Sequence, residues 1–227
     1  MTGVKAISLI SRNPALSRQR FHLHWALVHR AHALRLAPIL RYVQFHPEQG
    51  GLAPFPEGRA DGVAQVWYAD LAAAASMRTD PLWSTVIAPD EAYFLDGTST
   101  STLTAEAVVV DGPEVTADRS LTKGMIVLAR AVGQRHADVA AWCAARLPGL
   151  VTANVDGLSR CVLSLPVPQR YTDTDPAFDA ALELWPRNPH TPECAPLDLH
   201  SLAAALRDSP LDLDRTVSLV GAEFRCR

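Results

Sequence analysis

The strongest constraint on this chain is that it repeats itself. VKAISLISR (4–12) aligns without a gap on TKGMIVLAR (122–130), which places Lys5 on Lys123 and Arg12 on Arg130, 118 positions on. DGVAQVWY (61–68) aligns on DAALELWP (179–186) at the same offset of 118, with Asp61 on Asp179 and Trp67 on Trp185. LTAEAVV (103–109) meets VGAEFRC (220–226) at 117, with Glu106 on Glu223. A nearly constant offset across three separated segments points to two similar modules in tandem, residues 1–112 and 120–227. The boundary falls in DGPEVTADRS (111–120), whose polar residues, Gly and Pro suit a linker.

Hydrophobic patterning gives each module the same element order. Residues 4–10 form a short apolar run with β-branched members, a strand. Over 17–34, Phe21, Trp25, Val28 and His32 are spaced as one face of an amphipathic helix, and Ser17 is placed to cap it. LRYVQF (40–45) and VAQVWYA (63–69) read as strands, separated by a Gly- and Pro-rich loop over 50–62. A helix over 70–78, opened by Asp70, and a strand over 101–110 complete the module. The second copy predicts a strand at 123–130, a helix at 137–147, strands at 158–165 and 178–185, a helix at 198–207 and a strand at 216–225. The order β-α-β-β-α-β is the ferredoxin-like pattern, an α+β arrangement. Such a module covers one sheet face with its helices and leaves the other to be buried. Two modules can bury these faces against each other as an intramolecular α/β-barrel pseudo-dimer of about eight strands, with room for a small ligand.

Composition narrows the function classes. The 227 residues carry a formal net charge of −3, so the basic surface that nucleic acid requires is not expected. No apolar run is long enough for a membrane span, and the start MTGVKAISLISR lacks the pattern of a secretory leader. A cytoplasmic protein without membrane association is expected. Cys143, Cys161, Cys194 and Cys226 form no C-x-x-C pair and read as buried thiols. His190, Cys194 and His200 fall in a Pro-rich stretch with irregular spacing and no fourth ligand, so loop is expected there and not zinc.

RFHLHWALVHRAHALRL (20–36) concentrates four of the eight histidines, at 22, 24, 29 and 32. On an α-helix turning ~100° per residue, His24 and His29 stand ~140° apart and cannot both face one small ligand from the helix alone. His22 is expected to be solvated. His29, four after Trp25, borders the apolar stripe, where a partly desolvated imidazole can move protons near neutral pH. His32 shares the His29 face. No H-E-x-x-H or comparable motif accompanies these residues, and no metal is expected. Carried across at the offset of 118, Phe21 falls on Val139 and Trp25 on Cys143, whereas His24 falls on Trp142 and His29 on Leu147. The apolar positions persist and the histidines do not, which assigns a site to the first module alone.

KAISLISR, FHLHWALVH, LRYVQFH, DGVAQVWY, PDEAYFLD and LTAEAVVV together resemble the EthD-type family of the dimeric α/β-barrel superfamily, over most of residues 4–110. KGMIVLAR, VAAWCAARLPGL, GLSRCVLS, FDAALELW and GAEF look like a degenerate second copy. The resemblance implies a ferredoxin-like fold paired into a barrel. It places the chain among cofactor-free decarboxylases, cyclases, isomerases and monooxygenases of aromatic or polyketide-like compounds, with haem-binding branches and members of no known activity alongside. His29 matches the family's helix histidine, His24 its HW position and Tyr42 its RY position. RCV in the second copy makes Cys161 the counterpart of Tyr42.

From these residues the expected chemistry is a cofactor-independent lyase or isomerase: decarboxylation, dehydration or cyclisation of a hydrophobic carbonyl compound held in the barrel. His29 shuttles the proton. Tyr42, aimed into the lumen, donates a hydrogen bond to the developing oxyanion. Asp61 either ties a loop or orients an imidazole, and its recurrence as Asp179 favours the loop. His24, His32 and Trp67 are candidate substrate contacts, Trp67 as a flat wall. The alternatives are a cofactor-free monooxygenase of phenolic substrates and a non-catalytic small-molecule carrier. The loop at 46–62 and the segment 186–196 are expected over barrel mouths. Exposed helix faces leave room for a homodimer of pseudo-dimers.

Overall fold

The computed structural model describes residues 3–113, 121–187 and 197–226. The linker core at 114–120, the segment at 188–196 expected as a lid, and with them His190 and Cys194, lie outside these residues. The first half contains β1 (Val4–Ile10), then a continuous helix α1 built of Arg18–His24, a π turn Trp25–His29 and a last turn Arg30–Ala33. β2 (Arg41–Pro47), β3 (Gly62–Tyr68) and a short α2 (Leu71–Ser76) follow. A second π turn (Trp83–Ile87) runs into α3 (Ala88–Phe94), and β4 (Ser101–Asp111) closes the half. The second half contains β5 (Leu121–Leu128), α4 (His136–Asn154), β6 (Leu158–Pro166), β7 (Ala180–Pro186), α5 (His200–Ala205) and β8 (Val217–Arg225). The caps expected at Ser17 and Asp70 form: the Ser17 hydroxyl accepts from Arg20 N, and Asp70 Oδ1 accepts from Ala73 N at 2.7 Å.

All eight strands close into one antiparallel barrel, in the order β1-β3-β2-β8-β5-β7-β6-β4. The fold is therefore mixed α/β around a closed eight-stranded barrel. Strand order within each half is the same, β4-β1-β3-β2 and β8-β5-β7-β6, and so is the register. Ala6 faces Val66 as Gly124 faces Leu184, and Arg41 faces Trp67 as Arg160 faces Trp185. Lys5 faces Ala105 as Lys123 faces Gly221, and across the two seams Val43 faces Arg225 as Val162 faces Val109. This register corrects one alignment drawn from sequence. Glu223 corresponds to Ala107, not to Glu106, which points outward into solvent.

Alternation along the strands separates two interiors. Val4 and Tyr42 lie on the outer face under the helices, among Leu36, Ile39, Tyr68 and Ile87. The second half packs α4 and α5 on its own outer face through Val139, Cys143, Leu147, Leu202 and Leu206. Inward-facing Ile7, Phe45, Val63, Leu103, Met125 and Leu219 meet inside the barrel. An eight-stranded barrel is just wide enough for side chains to fill. Among the described residues these side chains occupy the middle of the barrel, and the space left of the expected ligand-sized lumen is a recess of about 80 Å³ at one end. The loop before β3 divides: its end, through Ala60, packs against the interior cluster, and its start lies outside the barrel. Leu52 and Phe55 enter the core of the second half, and Ser218 Oγ accepts from Leu52 N at 2.7 Å.

Candidate functional site

The histidines of α1 converge on a residue that the periodicity did not single out. Asp90, in the first turn of α3, accepts a hydrogen bond from His24 Nε2 at 2.7 Å and from His29 Nδ1 at 2.8 Å. The expectation that His24 turns away from His29 is overturned by the π turn between them. There Arg30 N–H reaches back five residues to the Trp25 carbonyl. Hydrogen bonds closed over five residues bring positions i and i+5 onto one face of the helix. His24 and His29 are such a pair. Asp90 is delivered from the opposite side by a helix that also follows a π turn, with Ala88 N–H bonded to the Trp83 carbonyl.

This site lies on the outer face of the sheet, between α1 and α3. It does not open to the barrel lumen, contrary to the expectation for His29. All three side chains are largely enclosed, His29 most of all, with 9% of its side chain exposed. The His29 ring packs on Phe94 at 5.0 Å and edge-on to Tyr42 at 6.5 Å. The His24 ring packs on Tyr93 at 4.8 Å and Phe94 at 5.2 Å. Burial opposes ionisation of Asp90, but the hydrogen bonds and charges of His29 and His24 outweigh it and hold its pKa below the ordinary carboxylate range. A carboxylate at Nδ1 fixes the His29 tautomer with its proton there. The second nitrogen, Nε2, is then a lone-pair base, and no residue of the described structure hydrogen-bonds it.

Tyr42 stands under His29, but on the outer face of β2 and not toward the lumen. It is buried, and its hydroxyl accepts from Trp25 Nε1 at 2.9 Å and Gln44 Nε2 at 3.0 Å. Burial raises its pKa above that of free tyrosine, so the phenol stays protonated. Gln44 also donates to the Trp25 carbonyl at 2.8 Å. Its own carbonyl accepts from His46 Nε2 at 3.2 Å; His46 Nδ1 meets His22 Nδ1 at 2.7 Å, and Arg18 Nε donates to His22 Nε2. These bonds are mutually consistent when both imidazoles are neutral, His22 giving its Nδ1 proton to His46. Burial lowers the His22 pKa to about 4 and that of His46 to about 3, helped by the Arg18 charge and by the neighbouring ring. His22 is thus half-buried in a relay beneath α1, where a solvated residue was expected.

The remaining sequence candidates lie elsewhere. Asp61 takes the Arg12 backbone N–H at 3.0 Å and pairs with its guanidinium at 3.3 Å; no imidazole hydrogen-bonds it. Its counterpart Asp179 holds Arg130 in the same way, at 2.7 Å from both the backbone N–H and the guanidinium. The loop-tying role is the one the geometry supplies, twice. Trp67 faces the barrel interior, with Lys5 Nζ 4.8 Å and Arg41 4.6 Å from its ring. His32 is partly buried, and its side chain makes no hydrogen bond among the described residues. No group of three or more His, Cys, Asp or Glu is placed to hold a metal ion among the described residues, and none of their helices is long and apolar enough to cross a membrane.

A closed α/β barrel carrying a carboxylate-bridged histidine pair on the outer face of one half defines the class of protein. Within it, residues 13–98 match the EthD domain family, a span that includes α1, β2, β3 and α3 and so the whole His24–Asp90–His29 cluster. The fold recurs in an anthrone oxidase-like protein, with 10% identity, a TM-score of 0.55, and 100% of this chain and 94% of that chain covered. It recurs in a chlorite dismutase variant from Candidatus Nitrospira defluvii, with 11% identity, a TM-score of 0.53, and coverage of 99% and 92%. A proposed monooxygenase from Fusobacterium nucleatum shares it at 7% identity and a TM-score of 0.55, covering 98% and 93%. No curated protein matches the sequence.

Proposed function

We propose that this protein is a proton-transfer enzyme for a hydrophobic aromatic or polyketide-like carbonyl compound, with His29 as the base. The observation that carries the proposal is the Asp90 bridge, which leaves His29 Nε2 unpartnered. A base acting through Nε2 while a carboxylate holds Nδ1 is the arrangement that general-base histidines use. Asp90 and His24 are positioning residues in this reading, and Tyr42 supports the imidazole from below. Leu23, Leu27 and Tyr93 are exposed beside His24, and they supply an apolar surface suited to a flat substrate. Asp61 and Trp67 stand outside the proposal because neither contacts this site. We read the two halves as tandem ferredoxin-like modules, about 1–112 and 120–227, from their shared strand order and register.

Abstraction of an acidic proton opens a lyase or isomerase route, and equally the attack of oxygen on a resonance-stabilised carbanion. The likeness to an anthrone oxidase-like protein favours testing the second route alongside the first. His29→Gln should retain the wild-type melting temperature within a few degrees and lose at least ~10² in kcat on hydroxyaromatic carbonyl substrates, the usual contribution of a general base. Turnover under air with oxygen uptake identifies the oxygenase route; equal turnover under nitrogen identifies the lyase or isomerase route. Full activity in His29→Gln refutes the assignment of the base.

A further inference from the structure

One end of the barrel interior holds a recess of about 80 Å³ that the His29 site does not use. Strand direction alternates around the whole barrel, so the operation relating the two halves turns about the barrel axis, and the recess lies on that axis. Its wall is made of matched pairs: Arg41 with Arg160, Trp67 with Trp185, and Ala107 with Glu223. Beneath them lie the two lysines, Lys5 and Lys123, which are buried.

The lysines are equivalent in register and unequal in partners. Lys123 Nζ has three: Gln65 Oε1 at 2.9 Å, Glu183 Oε2 at 2.7 Å and Glu223 Oε2 at 2.6 Å. Among the described residues, Lys5 Nζ donates to one, Glu183 Oε1. Two exchanges lie behind the difference: Gln65, which bonds Lys123 and Glu183, stands at the position relative to Lys5 where Lys123 has Glu183, and the counterpart of Glu223 carries no carboxylate. Glu223 stands two positions beyond the residue facing Lys123; the residue two positions beyond the one facing Lys5 is Ala107. A buried ammonium carries three donors, and a buried donor without an acceptor is costly. Lys5 therefore lines the recess beside Ala107, where its counterpart has a carboxylate. The two environments shift the amines in opposite directions: burial and the nearby Lys123 charge lower Lys5, whereas the two glutamates raise Lys123 against its burial.

We propose that this recess binds a small monocarboxylate whose anionic group takes the place beside Lys5 that Glu223 fills beside Lys123. The site is independent of the His29 chemistry. Its volume admits a group of acetate size, and Trp67 and Trp185 form apolar walls for a short alkyl end. The Lys5 ammonium stacked on Trp67 fixes the polar end.

Titration of the intact protein with sodium acetate at neutral pH, against sodium chloride at matched ionic strength, tests the proposal by calorimetry. A saturable heat with acetate and none with chloride is expected. Ala107→Glu supplies the missing carboxylate within the chain. It should abolish the acetate heat and melt at or above the temperature of the acetate-saturated wild type. Ala107→Val, which fills the space without charge, should also lose the heat, with no rise in melting temperature. The absence of a saturable acetate heat in the wild type overturns the proposal, as does acetate binding that persists unchanged in Ala107→Glu or Ala107→Val.

Discussion

Asp90→Asn isolates what the carboxylate does, because shape is kept and charge is lost. Asp90 accepts two N–H donors, one from each imidazole, with 11% of its side chain exposed. An amide in the same place accepts one of them through its oxygen and presents N–H₂ to the other. Both hydrogen bonds to a charged group, worth ~1.5–3 kcal/mol each, fall to the neutral range of ~0.5–1.5 kcal/mol, one of them with its direction reversed. The net cost is about 2–3 kcal/mol. For a chain of this size each kcal/mol moves the melting temperature by ~2–4 °C, so a drop of about 4–12 °C is expected by circular dichroism at pH 7. The second consequence is chemical. An imidazole facing the amide N–H₂ must turn its lone pair toward it, which moves the His29 proton from Nδ1 to Nε2 and removes the base. Where a carboxylate orients a catalytic histidine, such an exchange costs ~10⁴ in kcat. Nitrogen-15 NMR of the imidazoles reads the tautomer directly. A melting temperature within 1 °C of wild type together with an unchanged His29 tautomer would refute the reasoning, whatever happens to activity.

Two other features yield predictions. His22 and His46 are kept neutral in the fold, with pKa values of about 4 and 3 against 6.5 when unfolded. Above pH 6.5 neither affects stability. As pH falls below 6.5 the unfolded chain takes up protons that the fold refuses, so stability declines until the folded values are reached, by at most ~1.4 kcal/mol per pH unit for each imidazole and less for the more exposed His22. His46→Gln should flatten the decline between pH 6.5 and 4 in urea titrations, and an unchanged slope would contradict the relay. Gly221→Ala should destabilise severely, because its Cβ would stand 2.2 Å from the His46 backbone oxygen across the β2–β8 seam, whereas Gly97→Ala meets nothing within 4 Å. Denaturant midpoints of the two variants, equal within error, would argue against a seam this close.

Much of the fold was legible because repetition and period are local signals. Strand 4–10 was read without error, and the helix over 17–34 differed by a residue at each end. What escaped were the two π turns. An α-helical wheel places His24 and His29 apart, and only the altered turn between them brings them together. The second π turn sits just before Pro89, a residue that reads as a helix breaker. The helix carrying Asp90 was missed for that reason, and the key carboxylate with it. Pairing His24 and Asp90 needs two helices in register with each other, which no one-dimensional pattern encodes. The lumen was misjudged for a different reason. Lys5 and Lys123 were visible as a matched pair, but a period-2 strand does not say whether its inner face is crowded or open. Asp61 stood among the catalytic candidates although its recurrence as Asp179 pointed to structure, and both carboxylates hold an arginine backbone N–H.

The barrel closes through two seams, β2 with β8 and β4 with β6, and both lie within one polypeptide. When such a barrel is made from two separate chains, its closure depends on concentration and its two sides must stay identical. Here the partner is tethered at an effective concentration that dilution cannot lower, and each half is free to drift. One half carries an imidazole pair where the other has Trp142 and Leu147, and has Ala107 where the other has Glu223. Covalent linkage thus acts as a licence for asymmetry, letting residues on one side differ from their counterparts on the other.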